Sequence, residues 1–216
     1  MRYIICILFI SVLSFSSSHA QFRIGPKLGM TFSAQSPISD YQVWKTGLEF
    51  GALANVPIST HIFAQAEFLV TEKGYKEQFG EGELFDELTA TYWQLPVSVQ
   101  YRGGSDIEYF GNLGAYIARW QSGKYRSRIN TGSDIIEEDY KFTENYNTEG
   151  FKDNRTDFGV FASAGIIYPI AINHVMLDVR YNYGLTDVND LQNEPSGYEK
   201  VTNQNIVISL AFLFYL

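Results

Sequence analysis

The chain has 216 residues, enough for one sizeable domain, and carries 24 acidic against 16 basic side chains, a formal charge of −8. An acidic balance with no basic stripe excludes a nucleic-acid partner. Aromatics reach 16% while mean hydropathy stays slightly negative, and no window approaches the run of about 20 apolar residues that a membrane helix needs.

Met1–Ala20 reads as a cleaved export signal. Arg2 supplies the positive start, Tyr3–Phe15 the apolar stretch and Ser18-His19-Ala20 a small-x-small cleavage pattern. A retained N-terminal anchor is the alternative reading. Cys6, the one cysteine, lies inside this signal, so the remaining chain has no disulfide, thiolate metal ligand or cysteine nucleophile. Residues 21–216 show no linker or charge block and form one domain.

Eight alternating segments follow. Phe22–Phe32 sets Phe22, Ile24, Pro26, Leu28, Met30 and Phe32 against Arg23, Gly25, Lys27, Gly29 and Thr31. Lys45–Val56 opposes Leu48, Phe50, Ala52 and Ala54 to Glu49 and Asn55, and His61–Glu72 opposes Ile62, Phe68 and Val70 to Gln65, Glu67 and Thr71. After a longer loop, Thr91–Tyr101 alternates Trp93, Leu95, Val97 and Val99 with Gln94, Ser98 and Gln100. Ile107–Trp120 is less regular, with Tyr109, Leu113 and Ile117 against Glu108 and Asn112. Beyond a long polar loop come Thr156–Tyr168, with Asp157 on its polar face, and His174–Gly184, where Val175, Leu177, Val179 and Tyr181 oppose Asp178, Arg180 and Asn182. Asn203–Leu216 closes the chain with Ile206, Ile208, Leu210, Phe212 and Phe214 on one face and Asn205, Ser209, Ala211 and Tyr215 on the other.

Such alternation, large and apolar against small and polar, fits lipid outside and packed side chains inside. Hydrocarbon does not tolerate a free strand edge, so the last strand pairs with the first. The expected fold is all-β: an eight-stranded antiparallel up-and-down transmembrane β-barrel in the cell outer membrane. Short turns follow segments two, four and six, and long loops follow the others, which puts the turns in the periplasm and the loops outside. Trp44, Trp93 and Trp120 fall at the loop end, and Tyr101, Tyr109, Tyr168 and Tyr215 at the turn end, as two interfacial girdles. A soluble barrel would also alternate, but with its large apolar groups inside.

Three stretches carry a family resemblance: FRIGPKLGMTFS after the signal, YWQLPVSVQYR in the fourth segment and DVRYNYGLTDV from the seventh. The chain resembles the PorT-like outer-membrane β-barrels of Bacteroidota, which share the architecture of small OmpA-like barrels. The resemblance implies the fold and the location, a link to secretion across the outer membrane, and no catalytic motif. It also implies recognition by the barrel-assembly machinery. Many barrels end in an aromatic residue and this chain ends in Leu216, leaving Phe214 and Tyr215 to serve instead.

By phase the lumen carries Arg23, Lys27, Glu49, Glu67, Glu108, Asp178 and Arg180. Mixed signs inside so narrow a barrel pair into a plug; the alternative is a narrow ion path. On the closing strand, Leu210 and Phe212 meet lipid and Ser209 and Ala211 the lumen, so a hydroxyl at position 211 should be tolerated. A lipid-modifying enzyme is disfavoured, because His61 and His174 both begin strands at the turn end, far from the outer leaflet. No cofactor or metal spacing occurs. The loop 121–155 interleaves acids with tyrosines, which suits a protein or glycan contact and is equally ordinary solvated loop. Its Tyr140–Tyr146 alternation suggests that strands five and six extend outward as a hairpin. The role is therefore structural or interactive, accessory to secretion or envelope assembly, with the small pore as the alternative.

Overall fold

The computed structural model describes residues 22–80, 84–128, 134–147 and 150–215. The expected signal at 1–20 and the terminal Leu216 lie outside the described residues. Within them are twelve strands: β1 (Arg23–Ser36), β2 (Gln42–Val43), β3 (Lys45–Pro57), β4 (Ile62–Phe79), β5 (Leu84–Gly103), β6 (Glu108–Arg128), β7 (Ile136–Asp139), β8 (Phe151–Asp153), β9 (Thr156–Ile170), β10 (Asn173–Gly184), β11 (Asn189–Leu191) and β12 (Thr202–Tyr215).

Eight of these close a ring. β1, β3, β4, β5, β6, β9, β10 and β12 pair antiparallel in that order, and β12 returns to β1 with Arg23 opposite Tyr215 and Ser36 opposite Thr202. Closure leaves no unpaired strand edge within the membrane band, which is the condition hydrocarbon imposes on backbone polar groups. The faces follow the alternation. Leu28, Leu95, Val97, Leu113, Val179 and Leu210 are exposed on the outside, and Lys27, Gln94, Asn112, Arg180 and Ser209 are buried inside.

The turn end is tight. Residues 58–61, 104–107 and 171–172 connect β3 to β4, β5 to β6 and β9 to β10. Gly104 takes φ +110°, where a glycine costs nothing, and Ala171 takes the left-handed conformation at φ +54°.

The loop end departs from the expectation in one respect. The stretch after the third segment is not a long loop: β4 runs on to Phe79 and β5 begins at Leu84, and the two pair without a break through Gly74–Thr89 to Phe79–Leu84. The residues involved, Glu72 to Phe79 and Leu84 to Thr91, are polar enough to mask a strand that stands in water. β6 extends likewise to Arg128, so the outward extension of strand five holds. Its partner is different from the one expected: β7 at Ile136–Asp139 pairs β6, and Tyr140–Tyr146 is not a strand. A bulge between Thr91 and Tyr92 sets Ser122 and Trp120 as their successive partners, leaving Gln121 extra. Below it the even-numbered residues of β6 face inward; above it Gly123 and Ser127 are the buried ones.

Candidate functional site

The core of this protein is its lumen, which is filled in layers. At the turn end Arg102 and Arg23 share Glu108, at 3.3 and 3.6 Å. Arg102 also donates to Asn55 Oδ1 at 2.7 Å and to Gln100. Its guanidinium lies over the Phe63 ring and that of Arg23 over the Tyr215 ring. Next comes an apolar layer of Leu53, Phe110, Ile167, Met176, Ala211 and Leu213, all buried.

The central layer is ionic. Lys27 Nζ reaches Glu67 at 3.0 Å, Asp178 at 3.1 Å and Glu49 at 3.8 Å. Arg180 bonds Glu67 and lies 3.4 Å from Asp178. Glu67 is the hub, accepting from Lys27, Arg180 and Gln65, whereas neither oxygen of Glu49 has a hydrogen-bond partner among the described residues. A second pair lies toward the loops, Lys73 to Asp157 at 3.1 Å, with Asn203 also donating to Asp157. The Lys73 ammonium sits between the Tyr92 and Tyr116 rings.

The layer above is aromatic. Trp120 stacks on Tyr92 on one side and on Tyr140 on the other, with centroids 5.9 and 4.9 Å apart, and meets Phe142 edge-on at 4.9 Å. Tyr140 and Phe142 come from the long loop, so a loop segment folds down onto the barrel and covers its mouth. That lid is tied in place. Asp153 accepts from Tyr140 Oη at 2.8 Å and from the Thr143 amide at 2.7 Å, and Arg155 donates to the Trp120 carbonyl at 3.1 Å while lying over Phe142. Burial, then the bond to Asp153, pushes the Tyr140 hydroxyl above its ordinary pKa, so it remains a donor. β8 and β11 pair to link the two longest loops. Lys152 and Asp190 add an ion pair at 3.0 Å across them, which holds the Asp190 carboxyl below its usual pKa.

All seven of the sequence-derived charges face the lumen, and Lys27, Glu49, Glu67, Asp178 and Arg180 meet in one cluster, while Arg23 and Glu108 meet at the turn end. Trp44, Trp93, Tyr101, Tyr109 and Tyr168 are exposed on the outer surface. Two expected girdle residues are not there. Trp120 is 3% exposed because it shares the even phase of Asn112 and Tyr116 and points inward. Tyr215 shares the odd phase of Ser209 and Leu213 and lies under Arg23 at the lumen mouth, its ring 5.1 Å from that of His174. Ala211 also differs from expectation: it packs in the apolar layer, where a hydroxyl has no partner. Arg102 and Lys73 join the lumen charges without having been expected there, and Asp157, placed on the polar face of its segment by the alternation, joins them too. Phase alone finds the first two, since Arg102 continues Gln94, Ser98 and Gln100, and Lys73 continues Gln65, Glu67 and Thr71.

Outside the lumen, a cleft of about 400 Å³ opens beneath the loops, lined by Arg119, Glu144, Lys152, Asp153, Asn154, Arg155, Thr156 and Asp190. A smaller one of about 310 Å³ lies beside the lid, lined by Gln35, Tyr75, Trp120 and Tyr140 among others. His61 and His174 sit at the turn end, His61 stacked on Tyr101. No group of three or more metal-ligating side chains occurs among the described residues.

The model of a family described as "Outer membrane protein beta-barrel domain" matches residues 15–190. Among solved structures, a major outer membrane protein from Thermus thermophilus is similar at 12% identity and a TM-score of 0.50, over 92% of this chain and 100% of that one. Neisserial surface protein A is similar at 12% identity and a TM-score of 0.49, over 92% and 100%. Ail, the attachment invasion locus protein of Yersinia pestis, is similar at 13% identity and a TM-score of 0.43, over 90% and 99%. Identities this low speak for fold alone. No curated protein sequence matches the chain.

Proposed function

The chain belongs to the outer membrane protein β-barrel domain family, and from that premise we propose that it is a sealed surface barrel whose work is done by its loops. It is an all-β protein of the cell outer membrane, built as an eight-stranded antiparallel ring. The observation that carries the proposal is the central cluster. Lys27 and Arg180 are fully shared among Glu49, Glu67 and Asp178, between an apolar layer below and an aromatic lid above. An ion entering that path would have to displace partners that already hold one another, in a space closed at both ends.

In this reading the lumen charges are structural, and Trp44, Trp93, Tyr101, Tyr109 and Tyr168 anchor the barrel at the two interfaces. Residues 1–20 are the export signal, and the barrel-assembly machinery inserts the domain 21–216. The loop canopy offers a protein or glycan contact outside the cell. At the finest level, the three PorT-like stretches support an accessory part in secretion or envelope assembly in a Bacteroidota cell. A lipid-modifying enzyme with a histidine base does not suit this reading, because both remaining histidines sit at the turn end, His174 against the Tyr215 ring.

Planar-bilayer conductance of the refolded barrel tests the proposal. Its expected result is the absence of any steady open state. Sustained, ion-selective steps would make the lumen the working part and remove the reason for assigning function to the loops.

A further inference from the structure

We propose that the cleft at the loop end of β6 and β9 binds the phosphate of an outer-leaflet lipid headgroup, with Arg119 as its principal cation. The inference rests on the loop end facing outward, and otherwise on geometry the sealed lumen does not involve. Going up the outer face, the apolar band ends abruptly: Ile117 gives way to Arg119 on β6 and Phe158 to Thr156 on β9. Arg119 is paired in register with Trp93 on one side and Thr156 on the other. Trp93 is 53% exposed on the lipid side, and a tryptophan in that position marks the level of the headgroups. A cation beside it, one step beyond the apolar band, stands at the depth of the lipid phosphates.

Arg119 also has charge to spare. Its guanidinium makes one long bond, 3.5 Å to Thr156 Oγ1, and it has no ion pair among the described residues. Its neighbours in the cleft, Lys152 and Arg155, are each already paired, with Asp190 at 3.0 Å and with Glu144 at 3.5 Å, which leaves Arg119 as the cation there without a carboxylate partner. The carboxylates there are likewise held by partners within the protein. Asp153 holds Tyr140 and Thr143, and Asp190 holds Lys152 and Tyr146. Glu144 is 72% exposed and only 3.5 Å from Arg155, so it can swing away when a phosphate takes its place. The cleft, about 400 Å³ with Arg119 and Thr156 in its lining, has the size for a phosphorylated sugar headgroup, whose acyl chains would run down past the exposed Ile117 and Phe158. Charge-assisted bonds from a guanidinium to a phosphate are the strong class of hydrogen bond, which is what an exposed site needs.

The test uses the folded barrel in uncharged detergent, with binding read by native mass spectrometry. The ligands are bis-phosphorylated lipid A, the same lipid A after enzymatic dephosphorylation, and inorganic phosphate. The phosphorylated lipid should bind about tenfold more tightly than the dephosphorylated one, and Arg119→Gln should abolish most of that preference. Arg119→Lys should restore part of it. Arg126→Gln, which removes a rim cation already paired with Glu137, should leave it unchanged. Equal binding of the two lipids, or an unaltered preference in Arg119→Gln, overturns the site. Inorganic phosphate binding as tightly as the lipid overturns the headgroup as its ligand. Because the measurement is made in detergent and ignores conductance, its failure leaves the sealed-barrel reading standing, and a conducting lumen leaves this one standing.

Discussion

At the scale of single residues, two carboxylates beside one lysine, Glu67 at 3.0 Å and Glu49 at 3.8 Å, have very different standing. Glu67 takes hydrogen bonds from Lys27, Arg180 and Gln65, and Glu49 takes none among the described residues. Removing the charge from Glu67 leaves Arg180 and Lys27 crowded around a single remaining strong partner, Asp178. Glu67→Gln should therefore cost about 3–5 kcal/mol, the usual penalty for breaking a buried pair. Glu49→Gln should cost under about 1 kcal/mol, since it removes a desolvated charge that is poorly repaid. Denaturant unfolding of the barrel in vesicles, followed by tryptophan fluorescence, compares the two; equal losses would mean the cluster has no hub. The closing strand supplies a second contrast. Leu210 is 56% exposed to lipid, so Leu210→Arg should destabilise by about 2–4 kcal/mol near the midplane. Ala211→Ser should cost about 1–3 kcal/mol, because it buries a hydroxyl among Leu53, Phe110 and Met176. The same unfolding experiment measures both.

Among elements, the lid and the β6 bulge explain what the sequence conceals. Alternation makes the eight strands and their faces legible, because lipid and lumen impose opposite demands on successive residues. It also reveals each lumen charge whose strand is extended far enough. Arg102 and Lys73 sit one inward position past the strand ends inferred from hydropathy, and escape notice for that reason alone. Trp120 is misplaced when its aromatic character is given precedence over its phase. The lid is a different matter. Tyr140 and Phe142 reach Trp120 across a loop, and Phe151–Asp153 pairs with Asn189–Leu191 from another; no local pattern announces contacts between loops. If Asp153 fixes the lid, Tyr140→Phe keeps the stacking on Trp120 and loses the 2.8 Å bond. Limited proteolysis should then cut 134–155 several-fold faster, with the loss of about 1 kcal/mol of local stability, while the barrel strands stay resistant. An unchanged cleavage rate would place the anchoring in the rings alone.

For the whole molecule, the ring of hydrogen bonds is continuous from β1 back to β12, so opening it means exposing backbone polar groups to an apolar surround. The folded protein should stay folded in SDS until heated, migrating anomalously on a gel before boiling and normally after it. A chain that unfolds in cold SDS and remains monomeric in plain buffer would contradict the transmembrane barrel. Above the membrane, the cylinder does not simply end. β4, β5 and β6 continue together as a ribbon, stiffened where β2 pairs Gln42 with Glu77 and Val43 with Lys76. From Glu72, level with the last lipid-facing side chains, to Phe79 the ribbon climbs roughly 20 Å along its own axis. At its summit Tyr41 and Phe79 face each other 5.2 Å apart, both open to solvent. The protein thus has a mast as well as a hull. That aromatic pair is held in the medium well clear of the lipid, where a bulky macromolecule can meet it without touching the membrane.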